Sequence, residues 1–393
     1  GVFLLALLAK EEGVKKIFVP RMSANEASVI EGIEVYPVDN LKGLIKHLSG
    51  EKLITPLKKV ETDEILSDIR PEFDFAEILG QEQAKRALEI AAAGGHNIFM
   101  MGPPGSGKTM LSRAVSGILP NLTEKESLEV TKIYSITGNI PPGGSLIRHR
   151  PFRSPHHTTS QVGLIGGGSN PRPGEVSLAH RGVLFLDEFP EFGRNSLEAL
   201  RQPLEDGLVN ISRAAGSVTF PAQFMLVAAA NPCPCGYLGD PKKECKCTSF
   251  QILNYRKKLS GPIMDRIDIH LTVPAVDVNN LMIGKDEINR NEKSETIKQR
   301  IVEARKIQSQ RFKDLAQVHS NSDMKNRHLK EFANLNPEAN LLLKQAVNKF
   351  NLSARVYFRL IKVARTIADL DKSKEIKQNH IAEALQYRVK NDE

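Results

Sequence analysis

The sequence reads as an α/β protein, with a parallel sheet sandwiched by helices and an all-helical C-terminal part. Three observations predict this. His96-Asn-Ile-Phe-Met-Met101, Gly182-Val-Leu-Phe-Leu186 and Phe224-Met-Leu-Val-Ala-Ala-Ala230 are apolar at successive positions, as in strands buried on both faces. Helical patterns alternate with them, at Gln81 to Ala93 and from Lys108 onward. After Pro274 strand signals nearly cease, and residues 294–312, 337–350, 354–370 and 378–389 carry helical apolar spacing.

The earlier elements follow in order. Residues 1–50 alternate helix and strand: helix at Leu4 to Leu8, strand at Lys16 to Pro20, helix at Ala24 to Ile30, strand at Ile33 to Tyr36, helix at Leu41 to Leu48. The opening Gly1-Val-Phe-Leu-Leu-Ala-Leu-Leu-Ala9 has no initiator Met and no basic segment before it, so it is expected to be the interior of a buried helix, not a signal peptide. Residues 51–73 are charged and aperiodic, a linker. Residues 74–274 form the α/β part and 275–393 a helical lid. In composition the chain is ordinary for a globular protein, with 40% hydrophobic and 25% charged residues, which excludes wholesale disorder. No apolar run reaches the roughly 18 residues of a membrane span, so no membrane partner is expected. Of the net charge of +8, +7 falls after residue 274.

Gly102-Pro-Pro-Gly-Ser-Gly-Lys-Thr109 fits the phosphate-binding pattern G-x-x-x-x-G-K-[ST], with a strand before it and a helix after it. The backbone of Gly102, Pro103, Pro104, Gly105, Ser106, Gly107, Lys108, Thr109 and Met110 is expected to cradle ATP at a helix N-terminus. Lys108 would reach the β- and γ-phosphates, and the Thr109 hydroxyl would ligate Mg²⁺. The strand Val183-Leu-Phe-Leu186 ends in Asp187 and Glu188, the first expected to hold Mg²⁺ and the second to polarise the attacking water. Asn231 closes the next apolar strand, where it would orient that water or simply turn the chain with Pro232. Arg266 and Arg355 are candidate phosphoryl-charge stabilisers.

This set, in this order, resembles an AAA+ ATPase. Longer strings narrow the resemblance: Arg150-Pro-Phe-Arg-Ser-Pro-His-His157, Gly166-Gly-Gly-Ser-Asn-Pro-Arg-Pro-Gly174, Phe185-Leu-Asp-Glu-Phe-Pro-Glu191, Ile211-Ser-Arg-Ala-Ala215, Asn231-Pro-Cys-Pro-Cys-Gly236 and Val363-Ala-Arg-Thr-Ile-Ala-Asp369. Over essentially the whole chain these are similar to the ComM/YifB family of Mg-chelatase-like AAA+ proteins. The resemblance implies an arginine finger at Arg266, a sensor-2 arginine at Arg355, and residues 1–50 as the tail of a Lon-protease-like domain. It also implies a homo-hexameric ring in the bacterial cytoplasm and, for the ComM branch, a DNA helicase that drives branch migration in natural transformation. A chelatase-like protein-remodelling motor without a DNA substrate is the alternative. An ATP-dependent protease is third, since residues 1–50 hold no defensible Ser–Lys pair.

From Val130 to Gly174 the chain has no Asp or Glu but contains Lys132, Arg148, Arg150, Arg153 and Arg172. So long a Gly- and Pro-rich insertion is usually functional or disordered. The family places it, with a hairpin of Val209 to Ser212 and Ser217 to Phe220, at the ring pore. Arg148, Arg153 and Arg213 are accordingly expected to contact phosphates of single-stranded or branched DNA; the alternative is a solvated basic loop. The four cysteines, Cys233, Cys235, Cys245 and Cys247, lie within 15 residues. Clustered cysteines suggest a Zn²⁺ site in a reducing compartment, although one-residue spacing is tighter than usual and four free thiols stay open.

Overall fold

The computed structural model describes residues 1–57, 72–140, 146–213, 216–240, 243–259, 261, 263–275, 291–315 and 317–388; of Arg213 only the backbone is described. Among the described residues, the central sheet has five parallel strands, in the spatial order Ile269–Thr272, Ile98–Met101, Met225–Ala230, Val183–Leu186, Phe152–Arg153. In chain order this is fifth, first, fourth, third, second. Alternate residues point to opposite faces of a strand, and the burial divides accordingly. Ile98, Met100, Val183, Phe185, Val227 and Ala229 join one core. Phe99, Leu184, Leu186, Leu226, Ala228 and Ala230 join the other. Two buried faces explain why these strands are apolar throughout.

Helix Glu82–Gly94 covers the first face with an almost continuous buried run of alanines, leucine and isoleucine, ending in left-handed Gly95. The helices Lys108–Ile118, Ser294–Arg311 and Ala354–Leu370 share that core. The C-terminal helices expected from periodicity are present as Ser294–Arg311, Pro337–Lys349, Ala354–Leu370 and Gln378–Gln386, with a further short one at Asn326–Phe332.

The packing divides the chain differently from a simple N-to-C succession. One unit contains residues 1–57 together with the described parts of 121–150 and 167–173; the other contains the rest. In the first, the parallel strands Lys16–Pro20 and Glu34–Val38 pair in register, and Phe3, Ala6, Val19, Ala24, Ala27, Ile30 and Val35 form a small core. Leu128, on helix Glu124–Thr137, packs against that core, along with Ile140 and Leu146. The helix starts at a reciprocal cap between Thr123 and Glu126. The insertion after the P-loop helix is therefore not one long loop. It begins on the second half of a capped helix, Glu124–Thr137, and Phe152–Arg153 is an edge strand of the main sheet.

Candidate functional site: a nucleotide cleft at three strand ends

In open parallel sheets, ligands sit beyond the carboxyl ends of the strands. The three neighbouring strands Ile98–Met101, Met225–Ala230 and Val183–Leu186 deliver the P-loop, Asn231 and Asp187-Glu188 to such a position. An open cavity of about 420 Å³ lies there, lined by Pro104 to Met110, Asp187, Glu188, Ala230 and Asn231. Helix Lys108–Ile118 begins at Gly107, whose φ of +87° suits glycine, and its N-terminus faces the loop.

The buried Lys108 ammonium binds the Gly102 carbonyl at 2.8 Å, the Pro103 carbonyl at 2.9 Å and Asn231 Oδ1 at 3.3 Å. Burial lowers its pKa, opposed by the Asp187 charge. The Thr109 hydroxyl donates to Asp187 Oδ2 at 2.8 Å, and the Glu188 N–H donates to Asp187 Oδ1 at 2.9 Å. A hydroxyl and a carboxylate converging from two elements make the hard-oxygen donor set that suits Mg²⁺. Glu188 has a left-handed backbone, φ +50°, a sparsely populated state for a residue with a side chain. Its carboxylate meets His157 Nδ1 at 3.0 Å.

The contact of His157 with the cleft residue Glu188 is one that motif reading does not reveal, but the sheet register does. Arg153 pairs with Leu184, and His157 and Glu188 each lie four residues further on along parallel neighbours. Gln81, at the start of helix Glu82–Gly94, also reaches the P-loop from outside the motif. Its side-chain amide donates to the Pro274 carbonyl at 2.8 Å and to the Ser106 carbonyl of the P-loop at 3.5 Å.

Arg266 and Arg355 do not line the cavity. The Arg266 guanidinium pairs with Glu205, and Arg355 pairs with Asp265 at 3.3 Å. A neighbouring arginine ties the C-terminal helix to this segment: Arg359 binds the Arg266 carbonyl at 3.1 Å and the Asp268 carboxylate. Burial raises the Asp268 pKa, but Arg359 and His96 overcome it and hold the carboxyl far below the usual range.

The basic stretch differs most from its sequence pattern. Arg150 pairs with Glu126 at 3.1 Å, and Arg153 makes a two-point pair with Glu175 at 2.6 and 2.8 Å. Both glutamates lie just outside the acid-free run. Arg153 is thus an engaged, partly buried side chain and not the open cation expected of a phosphate contact. Arg148 belongs to the first unit, and Arg153 and Arg213 to the second. The antiparallel hairpin is present as Leu208–Arg213 and Gly216–Pro221, with Arg213 paired to Gly216 at its tip.

The cysteines do converge. Cys233 Sγ lies 3.4 Å from Cys235 Sγ and 3.7 Å from Cys245 Sγ, and Cys235 Sγ lies 3.6 Å from Cys245 Sγ. All four sulfurs are within 4.8 Å of one another and none is in a disulfide. Main-chain N–H groups of Tyr237 and Lys246 help hold the Cys235 thiol down to about 6. Cys247, although it accepts from the Cys235 N–H, is pushed up to about 12 by burial and the neighbouring thiols.

Comparison with known proteins adds the decisive match. The family model "Magnesium chelatase, subunit ChlI" matches residues 74–281, and its C-terminal companion matches 291–388. The chain belongs to the Mg-chelatase-like AAA+ ATPases, on their ComM/YifB branch. It is 40% identical to competence protein ComM of Haemophilus influenzae over 386 residues, 98% of this chain and 74% of that one. Identity to YifB of Escherichia coli is 41% over 388 residues, with the same coverages. The 38 kDa magnesium-chelatase subunit of Rhodobacter capsulatus is 28% identical over 184 residues, 42% of this chain and 51% of that one. No helix among the described residues of this AAA+ chain is long and apolar enough to cross a membrane.

Proposed function

We propose that this AAA+ chain is an ATP-hydrolysing ring motor that binds and translocates on DNA, acting as a branch-migration helicase in recombination or natural transformation. The observation that carries the reading is the meeting of P-loop, Asp187-Glu188 and Asn231 at three adjacent strand ends, in a chain related over 98% of its length to a competence protein. Lys108 and the P-loop N–H groups bind the phosphates, and Lys108 exchanges its carbonyl partners for phosphate oxygens as ATP enters. Thr109 and Asp187 would hold Mg²⁺, which supplies positive charge beside the phosphates. Glu188 orients and polarises the attacking water, with Asn231 as its second contact. Arg266 acts as the finger for a neighbouring copy in a homo-hexamer, and Arg355 senses nucleotide from the lid.

In this reading 1–50 is the tail of a Lon-protease-like domain, 51–73 a linker, 74–274 the large AAA+ subdomain and 275–393 the lid. DNA passes the hairpin carrying Arg213 and the insertion carrying Arg148 and Arg153. Zn²⁺ sits structurally on the four cysteines, and the compartment is the bacterial cytoplasm. The chelatase-like alternative, a protein-remodelling ATPase without DNA, draws on the family models' description and on the Rhodobacter match. Strand displacement on forked DNA, with Lys108→Ala as the control, separates the two. ATP-dependent displacement lost in Lys108→Ala supports the helicase; ATP hydrolysis without displacement or DNA binding supports the remodeller.

A further inference from the structure

We infer that the Cys233–Cys247 loop is a zinc-thiolate clamp whose occupancy sets the affinity of the nucleotide cleft. This rests on the zinc reading above and extends it to the neighbouring site. Four sulfurs each about 2.3 Å from one Zn²⁺ at tetrahedral angles lie ~3.8 Å apart. The separations of 3.4, 3.6 and 3.7 Å approach that spacing, and none approaches the ~2.05 Å of a disulfide. A soft, all-thiolate set selects zinc over the magnesium of the cleft.

The loop also abuts the cleft wall. Strand Met225–Ala230 ends at Ala230 and Asn231, both lining the cavity, and Cys233 follows after one proline. The chain then turns tightly, with the Gly236 N–H donating to the Cys233 carbonyl at 2.9 Å. Gly236 has φ +85° and lies against the P-loop, where a Cβ would be 2.6 Å from Cγ and Cδ of Pro104 and 3.7 Å from Cγ of Asn231. Pro104 itself lines the cavity. At its other end the loop runs into helix Ser249–Lys258, which starts at a reciprocal cap between Thr248 and Gln251 and buries Tyr255.

Between these anchors the described residues 232–240 and 243–248 form no helix or strand, and only Cys233 and Gly236 among them are buried. Beside the contacts of Lys243 with Tyr237 and Asp240, the sulfurs cross-link these described residues, and a segment of this kind depends on its metal for order. With zinc, Gly236 presses on Pro104 and the P-loop is held ready for phosphate. Without it, that contact loosens and nucleotide binding must order the loop as well. Coupling between two sites commonly spans about 5- to 150-fold in affinity, and tenfold is expected here.

The test measures zinc content by elemental analysis and binding of a fluorescent ADP analogue, both on the full chain with excess Mg²⁺. The arms are protein as purified, protein stripped with a zinc-selective chelator, stripped protein returned to zinc, and Gly236→Ala, which keeps all four thiols. About one equivalent of zinc, a tenfold weaker analogue after stripping, recovery on zinc return and weakened binding in zinc-replete Gly236→Ala are expected. Less than a tenth of an equivalent, with no uptake of added zinc, overturns the metal site. Full zinc with unchanged nucleotide affinity in both the stripped and Gly236→Ala proteins overturns the clamp and leaves the metal site standing.

Discussion

The nucleotide cleft and the basic stretch from Val130 to Gly174 are built on opposite principles. In the cleft, groups 78 residues apart in the chain, Thr109 and Asp187, meet at 2.8 Å because three neighbouring strands end together. In the basic stretch, Arg148 and Arg150 belong to one packing unit and Arg153 to the other, and glutamates from outside the run pair with two of them. A strand end is a fixed address, and an apolar strand carries its motif there. A surface charge has no such address, and its partner comes from wherever the fold leads. The cleft therefore concentrates its chemistry, while the basic stretch pairs part of its charge off.

Arg266→Ala should lower the ATP turnover number by about 10³-fold, as expected for an arginine acting on the phosphoryl group of a neighbouring copy. Mixing it with Lys108→Ala protein should restore part of the activity, and steady-state phosphate release reads both effects. No recovery on mixing would place Arg266 in a structural role beside Glu205. Glu188→Gln should lower turnover by about 10²-fold while ATP still binds, since only the water-polarising group is lost. Equal losses of binding and turnover would contradict that division of labour. Turnover should change only a few-fold in His157→Ala, with KM unaltered, because His157 touches Glu188 and no phosphate-binding group.

The smallest effect belongs to the basic stretch. The Arg153–Glu175 pair is partly exposed, so it contributes about 1 kcal/mol or less. Releasing Arg153 with Glu175→Gln should tighten DNA binding by no more than about fivefold and steepen its salt dependence by about one unit. The Arg148→Glu/Arg153→Glu double variant should weaken it. Gel shifts across a salt series measure both, and unchanged affinity and slope in the two proteins would remove this stretch from the DNA path.

These contrasts also explain what the sequence made legible. Strands Ile98–Met101, Val183–Leu186 and Met225–Ala230 announce themselves because burial on both faces leaves no polar position in them. Phe152–Arg153 does not, being two residues long, charged, and preceded by a proline. Ile269–Thr272 is hidden by His270, only half-buried at the sheet edge. Lys108, Asp187 and Glu188 are readable from local strings. His157 becomes visible only once the edge strand is known, because its meeting with Glu188 depends on register. The cysteines fall between these cases: their spacing marks a cluster, but only the fold puts Gly236 against Pro104.

Whether this chain is a DNA-driven motor is read from its ATP hydrolysis with and without forked DNA at moderate salt. Hydrolysis should rise several-fold with DNA, disappear in Lys108→Ala, and drive strand displacement. Hydrolysis that is abolished by Lys108→Ala but indifferent to DNA at every salt concentration, with no displacement, would contradict it.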